Sequence, residues 1–244
     1  QQMLNMPEEE MRQYDLSSLR LLVTGGPSVS EDMLKQFKER FGLDIIQGYA
    51  AVEASAYNAI QPLDGTGKPG SVGKVPAGVE LRIVDDADNI LPPNQVGEVI
   101  IRHDGIMKGY YNRPQATAEA LRSGWLHTGD MGKLDEDGYL FIAGRRKEMV
   151  VVGEQNVFPV DVEEVVRSHP KVAEAAVVGI PDKVSGEAIR AVIVLKKGER
   201  ATPQEIEQFC RGRLADHEVP KQIMFTESLP KTVKGTVRKE ELKK

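Results

Sequence analysis

A strand, a helix and a second strand follow one another near the start of the chain, and this order limits the possible folds more than any other feature. A short, mainly apolar run at residues 19–23 ends at a glycine turn, and a second strand candidate at residues 43–47 ends at Gly48. Between them, Ser30 and Gly42 bound a helix candidate with apolar residues at helical spacing: Met33, Leu34, Phe37 and Phe41. The order predicts one unit of a doubly wound α/β sheet, where ligands bind at the carboxyl ends of strands. One such unit cannot close a sheet alone, so we expect further sequence upstream.

The pattern changes twice further along the chain. Residues 62–143 contain short β segments separated by turn signals, which predict a small distorted β-barrel or sheet. After a charged break at residues 144–147, an α+β pattern runs from 148 to 244. Its strand candidates are residues 149–152, 173–178, 188–195 and 222–225, and its helix candidates are residues 159–168 and 203–214. The predicted fold class is therefore α/β followed by α+β.

Composition excludes some classes of protein. A net charge of −5 argues against a nucleic-acid partner, because binding to phosphate backbones needs concentrated Lys and Arg. Basic residues do gather near the C-terminal end, either as a solvated surface or facing phosphate. No apolar run reaches the roughly 18 residues that a membrane span needs. The only cysteine, Cys210, lies in an apolar-periodic segment and is predicted to be a buried thiol, which favours a cytoplasmic location.

Short motifs follow one another along nearly the whole chain: Thr24-Gly25-Gly26-Pro27, Gly48-Tyr49-Ala50-Ala51-Val52-Glu53, Thr128-Gly129-Asp130, Gly144-Arg145 and Pro230-Lys231-Thr232-Val233-Lys234-Gly235-Thr236. In this order they resemble the motifs of the acyl-adenylate-forming (AMP-binding) enzymes, of acyl-CoA synthetase type. The resemblance implies a remnant of the AMP-binding subdomain at 1–61 and a β-rich subdomain at 62–143. It also implies a hinge at 144–147, a mobile lid domain at 148–244, and a missing N-terminal half.

The resemblance also assigns an adenine site. Gly25, Gly26 and Pro27 would border the base with their backbone, and Gly48 would allow its close approach. Tyr49 would offer a flat aromatic face for adenine to stack on. A buried core tyrosine is the alternative interpretation of Tyr49.

Three charged residues complete the implied nucleotide site. Asp130 would accept hydrogen bonds from the ribose hydroxyls of ATP or AMP, and Arg145 would reach the same ribose. Glu53 would help to hold Mg²⁺ on the phosphates, since magnesium takes hard oxygen ligands and usually one or two carboxylates. The alternatives are a turn-forming aspartate, a surface arginine and a carboxylate favoured at a helix start.

The resemblance places the remaining roles in the C-terminal region. Lys147 matches the hinge position, where a backbone change rotates the lid between two working poses. Gly153 and Glu154 match a hairpin that lines the channel for the pantetheine arm of CoA. A solvated loop lysine and a plain β-hairpin with a glycine turn are the alternatives.

Several positions depart from the family pattern. Val52 stands where a threonine is usual, and Thr236 stands where the family has the lysine that assists adenylation. Loss of such a positive group costs roughly 10²–10³ in rate. Lys234, two residues earlier on the same side of an extended segment, is a candidate substitute. No Ser/Thr/Gly-rich phosphate loop occurs in the sequence, so we expect that this chain alone forms no acyl-adenylate.

Two functions remain open at this point. The first is the C-terminal portion of an ATP-dependent acyl-CoA ligase, which would join a carboxylic or fatty acid to CoA. The second is a non-catalytic homologue that binds a nucleotide or acyl-CoA or acts as an interaction domain, which Val52 and Thr236 favour.

Overall fold

The computed structural model describes residues 2–25, 29, 31–232 and 235–243. The chain divides into two compact units, Gln1–Ile142 and Ala143–Lys244. Within the described residues, no helix has the length and apolar character that crossing a membrane requires.

The first unit contains the predicted strand, helix and strand after two short helices. Its first elements are α1 (Gln2–Asn5), α2 (Glu8–Met11), β1 (Leu22–Gly25), α3 (Glu31–Phe41), β2 (Ile45–Ala51) and β3 (Ala56–Ile60). Strand β1 pairs with β2 in parallel, as a strand–helix–strand unit requires. Helix α3 buries Phe37, whose ring centroid lies 4.4 Å from that of Phe41. Gly42 follows α3 with a φ of 68°, a left-handed conformation that glycine adopts without a Cβ clash and that ends the helix.

Strand β2 is longer than the sequence predicts. Its apolar run was expected to end at Gly48, but the strand continues through Tyr49 to Ala51. Strand β3 supplies the reason, because it pairs antiparallel with this extension and gives its backbone groups hydrogen-bonding partners. Gly48 and Tyr49 therefore lie within a strand rather than in a loop after it.

The rest of the first unit is β-rich. Its elements are β4 (Glu80–Val84), β5 (Gly97–Arg102), α4 (Pro114–Ala120), β6 (Leu121–Arg122), β7 (Trp125–Leu134) and the first half of β8 (Leu140–Arg145), a strand that continues past Ile142 into the second unit. The strand order is β4-β5-β7-β6, and β8 also pairs with β7. A buried core joins this sheet to β2 and β3; its members are Tyr49, Ala59, Ile83, Val99, Ile101 and Leu140. The core thus brings residues of the first sheet against residues of the second.

The second unit is an α+β structure. Its elements are β9 (Val150–Val152), β10 (Gln155–Val157), α5 (Pro159–Arg167), β11 (Val172–Asp182), β12 (Gly186–Leu195), α6 (Pro203–Arg211) and β13 (Gln222–Phe225). The strand order is β10-β9-β12-β11, with β13 parallel to β12. The predicted strand over 173–178 extends to Asp182, because β12 pairs with it along its length. The predicted helix over 203–214 ends earlier, at Arg211 before Gly212.

Helices α5 and α6 pack on this sheet through small apolar side chains. Val162, Val166 and Ile206 are fully buried in one cluster with strand residues. Cys210 lies in the same cluster with no exposed surface, which confirms the prediction of a buried thiol. Burial raises the pKa of the Cys210 thiol to about 11, because an apolar surrounding disfavours the thiolate.

Candidate active site

Two of the predicted adenine-site glycines lie side by side. Gly25 ends β1 and pairs in register with Gly48 of β2. The ring of Tyr57, on β3, covers both: a methyl group added at Gly48 would lie 2.6 Å from Tyr57 Cδ1, and one added at Gly25 would lie 3.1 Å from Cε1. A side chain at position 48 would displace the Tyr57 ring, so packing against Tyr57 favours glycine there even before any ligand binds. Gly26 and Pro27 lie outside the described residues.

Tyr49 is a core residue in this structure. Its side chain belongs to the cluster shared by the two sheets and is only 8% exposed. Its hydroxyl donates a hydrogen bond to Asp130 Oδ2 at 2.6 Å. The burial weighs against an open ring face for adenine, so the stacking role stays a prediction that requires the ring to become exposed. What Tyr49 contributes here is its hydroxyl.

Asp130 lies in a bulge of β7. Glu98 pairs with Met131 and Ile100 pairs with His127, so Val99 alone on β5 faces three residues, 128–130, on β7. Gly129 has a φ of 70°, which favours glycine at that position. Bulges of this kind redirect a side chain next to a binding site. Here the bulge brings the Asp130 carboxylate to the Tyr49 hydroxyl across 81 residues of sequence.

Polar side chains hold the bulge in place of ladder hydrogen bonds. Thr128 Oγ1 donates to the Val99 carbonyl at 2.7 Å and accepts from the Asp130 N–H at 3.1 Å. Glu98 Oε1 accepts from the Gly129 N–H at 3.0 Å. Glu98 Oε2 lies 3.1 Å from His127 Nδ1, which carries the hydrogen when Glu98 is ionised, because a carboxylate only accepts.

Glu98 and His127 are residues that the sequence did not assign to the site. Their side chains are nearly buried, at 5% and 7% exposure. Two signals were available: His127 directly precedes the Thr128-Gly129-Asp130 motif, and Glu98 lies next to the apolar residues 99–101 of its strand. A buried carboxylate is costly without hydrogen-bonding partners, so a glutamate at a buried strand position predicts that specific donors lie next to it.

Glu53 lies in a 3-10 helix, Val52–Ala54, directly after β2. Its Oε1 accepts a hydrogen bond from the Tyr110 hydroxyl at 2.8 Å, and this bond raises the pKa of Tyr110. Its carbonyl accepts from the Met107 N–H at 2.7 Å. Val52, at the usual threonine position, is 93% exposed. Within the described part of the chain, no three His, Cys, Asp or Glu residues gather as a metal site. A single carboxylate nevertheless fits Mg²⁺ that is bound mainly by phosphate oxygens and water.

The predicted hinge and channel residues lie in the second unit. Arg145 is the last residue of β8 and is exposed, and Lys147 is exposed in the 3-10 helix Arg146–Glu148 that follows. Gly153 and Glu154 form the exposed two-residue turn between β9 and β10, and Gly153 has a φ of 64°. The structure thus contains the hairpin, while the hinge and CoA roles stay predictions.

Thr236 lies in a tight hairpin near the end of the chain. Lys231 and Val237 form a β-bridge, and Thr236 exchanges hydrogen bonds with Thr232. Lys231 also forms an exposed ion pair with Glu174 of β11 at 2.5 Å. Thr236 is exposed, so the hairpin presents to solvent the position where the family has lysine. Lys234 lies outside the described residues. Gly235, between Lys234 and Thr236, has a φ of 85° and donates a hydrogen bond to the Thr232 carbonyl, so the expectation of an extended segment at this point is wrong.

Comparison with known proteins agrees with the motifs. The profile of AMP-binding enzymes matches residues 1–111, and that of the AMP-binding enzyme C-terminal domain matches residues 161–236. A long-chain-fatty-acid–CoA ligase of Bacillus subtilis is 37% identical over 96% of this chain and 42% of its own length. An oxalate–CoA ligase of Arabidopsis thaliana is 38% identical over 91% of this chain and 43% of its own length.

A solved structure confirms the predicted fold class. ATP-bound MatB from Rhodopseudomonas palustris has a TM-score of 0.90 and 31% identity to this chain, and it matches over 99% of this chain and 48% of its own length. The chain therefore spans less than half the length of these relatives.

Proposed function

The chain belongs to the AMP-binding enzymes, and we propose that it forms the C-terminal portion of an ATP-dependent acyl-CoA ligase. In the proposed reaction, a carboxylate oxygen attacks the α-phosphorus of ATP to give an acyl-adenylate and pyrophosphate. The CoA thiol then attacks the acyl carbon, and AMP leaves as the thioester forms. The named activities of the relatives support this reaction class, while their differing acids leave the acyl substrate unassigned.

The contact between Tyr49 and Asp130 is the observation that carries the proposal. It joins two motifs that the resemblance assigns to one nucleotide, although 81 residues separate them. A carboxylate has about four lone-pair positions, so Asp130 can keep the Tyr49 hydrogen bond and still accept from ribose hydroxyls. Holding the carboxylate in advance lowers the ordering cost of binding.

Glu53 would hold Mg²⁺ together with the ATP phosphates, and the metal would supply positive charge to the phosphates when bound. Tyr110 orients the Glu53 carboxylate through the 2.8 Å hydrogen bond. We further propose that Lys147 is the hinge of the lid and that the Gly153–Glu154 turn borders the CoA arm. Arg145 would contribute to the ribose site. A cytoplasmic location also stays a proposal.

Nucleotide binding by this chain tests the proposal. We expect Asp130→Asn to weaken AMP binding about 10-fold to 100-fold, because hydrogen bonds to charged groups contribute about 1.5–3 kcal/mol. The exposed Asp104 provides a matched control, and Asp104→Asn should leave AMP affinity unchanged. Isothermal titration with AMP makes the measurement. Equal AMP affinity in the Asp130→Asn variant and the unaltered chain would refute the assigned ribose role.

We also propose that this chain alone does not form an acyl-adenylate, because its sequence contains no glycine-rich phosphate loop. Detectable ATP–pyrophosphate exchange by the chain would contradict that proposal. Lys234 is proposed to substitute in part for the lysine replaced by Thr236. In the complete enzyme, unchanged adenylation after Lys234→Ala would exclude this substitution.

Thr236 and Val52 favour a second candidate, a homologue that binds nucleotide or acyl-CoA without forming the adenylate. An exposed threonine has no positive charge to stabilise the reacting phosphate. The complete protein would distinguish the two functions: AMP binding without pyrophosphate exchange supports the second, and exchange supports the first.

A further inference from the structure

We propose that Glu98 and His127 are positioning residues that set the place of Asp130 and thereby the selectivity of the site for ribose hydroxyls. The inference deepens the proposed function, because it rests on Asp130 as the ribose-binding residue. Neither side chain is assigned any contact with the nucleotide. They act on the backbone that holds Asp130.

The first step is the connection between the pair and the bulge. Glu98 Oε1 accepts from the Gly129 N–H at 3.0 Å, and Glu98 Oε2 bonds His127 Nδ1 at 3.1 Å. One carboxylate therefore contacts both His127, directly before the irregular stretch of β7, and the glycine directly before Asp130. The Glu98 carboxylate bonds the side chain of His127 and the backbone N–H of Gly129, so a shift of Glu98 shifts the bulge as well.

The second step is the lack of a regular ladder at this point. Val99 is the one β5 residue between the register pairs Glu98–Met131 and Ile100–His127, and three β7 residues face it. The Gly129 N–H turns to the Glu98 carboxylate for its hydrogen bond. If that acceptor is lost, a partly buried N–H is left unsatisfied, which is costly enough to drive the bulge into another conformation.

The third step is burial, which makes the pair rigid. Glu98 is 5% exposed and His127 is 7% exposed, so water has little access to either. Arg122 Nη2 also approaches Glu98 Oε2, at 3.4 Å. Charged groups out of water form strong and directional hydrogen bonds, and such networks fix one arrangement of the backbone around them. Because Gly129 directly precedes Asp130, fixing the Gly129 backbone also fixes the position of Asp130.

The test compares AMP with 2′,3′-dideoxy-AMP, which lacks both ribose hydroxyls. In the unaltered chain we expect AMP to bind about 100-fold more tightly, through two hydrogen bonds to a charged acceptor. Glu98→Gln should reduce this ratio about tenfold and leave the affinity for 2′,3′-dideoxy-AMP within about twofold, because only the hydroxyl contacts depend on Asp130. Glu98→Ala should reduce the ratio further, since glutamine keeps one acceptor oxygen and alanine keeps none.

Glu80→Gln is the matched control. Glu80 lies on the neighbouring strand β4 and also forms an ion pair, with Arg102 at 2.6 Å, but it is exposed and away from the bulge. The ratio should not change in this variant. Trp125 fluorescence during urea unfolding verifies that each variant is folded, because the only tryptophan lies on β7. If Glu98→Gln does not fold, His127→Ala is judged by the same ratio, and His127→Gln, which keeps a donor, should restore it in part.

The outcomes separate the two proposals. A folded Glu98→Gln variant that keeps the full ratio overturns the positioning role and leaves the ribose role of Asp130 intact. Equal weakening of both nucleotides also overturns it, because the pair would then be only structural. If the unaltered chain binds AMP no better than 2′,3′-dideoxy-AMP, the ribose role of Asp130 fails, and the inference fails with it.

Discussion

Substitution of Gly48 tests whether Tyr57 packing requires glycine at this position. A methyl group there would lie 2.6 Å and 2.8 Å from two ring carbons of Tyr57 and 3.2 Å from the Ala59 carbonyl oxygen. Favourable carbon–carbon contacts lie at about 3.5–4.0 Å, so the ring must move by about 1 Å. Overpacking of this kind costs about 1–3 kcal/mol, and the loss of unfolded-state freedom from Gly to Ala offsets about 0.4–1 kcal/mol.

We therefore expect Gly48→Ala to lower the free energy of unfolding by about 1–2 kcal/mol. Gly25→Ala should cost less than about 0.5 kcal/mol, because its nearest Tyr57 atom is 3.1 Å away. In a Tyr57→Ala background the ring is gone, and the Gly48→Ala cost should shrink to a few tenths of a kcal/mol. Urea unfolding followed by Trp125 fluorescence measures the free energy of unfolding of the unaltered chain, the two single variants at positions 48 and 57, and the double variant. Trp125 and both positions lie in the first unit.

A coupling energy near zero between positions 48 and 57 would refute this explanation. The cost of Gly48→Ala would then come from the backbone or from the Ala59 carbonyl instead. AMP binding adds a second readout on the same variants. If the double variant regains stability but still binds AMP poorly, glycine at position 48 is needed for the ligand as well as for Tyr57.

Three further predictions concern single sites. In the complete protein, Thr236→Lys should raise adenylate formation, measured by pyrophosphate exchange, by about 10²–10³, and no change would mean that another group supplies the charge. Hydrogen bonds from the Ser185 N–H and hydroxyl and the Val184 N–H hold the pKa of Asp182 well below its usual range. The ionised Asp182 therefore stabilises the fold above pH 4, roughly the ordinary pKa of aspartate, and this stabilisation is lost as the pH falls further. Asp182→Asn should make the free energy of unfolding, measured by circular dichroism, depend less on pH in the acid range. Because burial raises the pKa of Cys210 to about 11, iodoacetamide at about pH 8 should modify the folded chain at least about 100-fold more slowly than the urea-unfolded chain, and equal rates would contradict the buried thiol.

The sequence by itself determined the local elements and their order. Helix α3 follows from apolar residues at helical spacing and from Gly42. The apolar run at 19–23 predicts the existence of β1 but not its bounds, because the strand is Leu22–Gly25 and includes the first residues of the predicted turn. These features depend on residues that are neighbours in the chain, so periodicity and turn chemistry are sufficient to find them. The motifs determined the family in the same way, because each is a short run in a fixed order.

Only the tertiary structure decided which of these residues meet. The extension of β2 depends on β3, the cover over Gly48 depends on Tyr57, and the place of Asp130 depends on Glu98 of another strand. Such contacts form only when strands pair and sheets pack, and the spacing of apolar residues within one element does not identify them. Tyr49 shows the difference clearly: its motif left a stacking face and a core position both open, and packing buries the ring while its hydroxyl donates to Asp130. The stacking role stays a prediction. Sequence spacing fixes which face of its own strand a side chain takes, but the partner that covers that face comes from elsewhere in the chain.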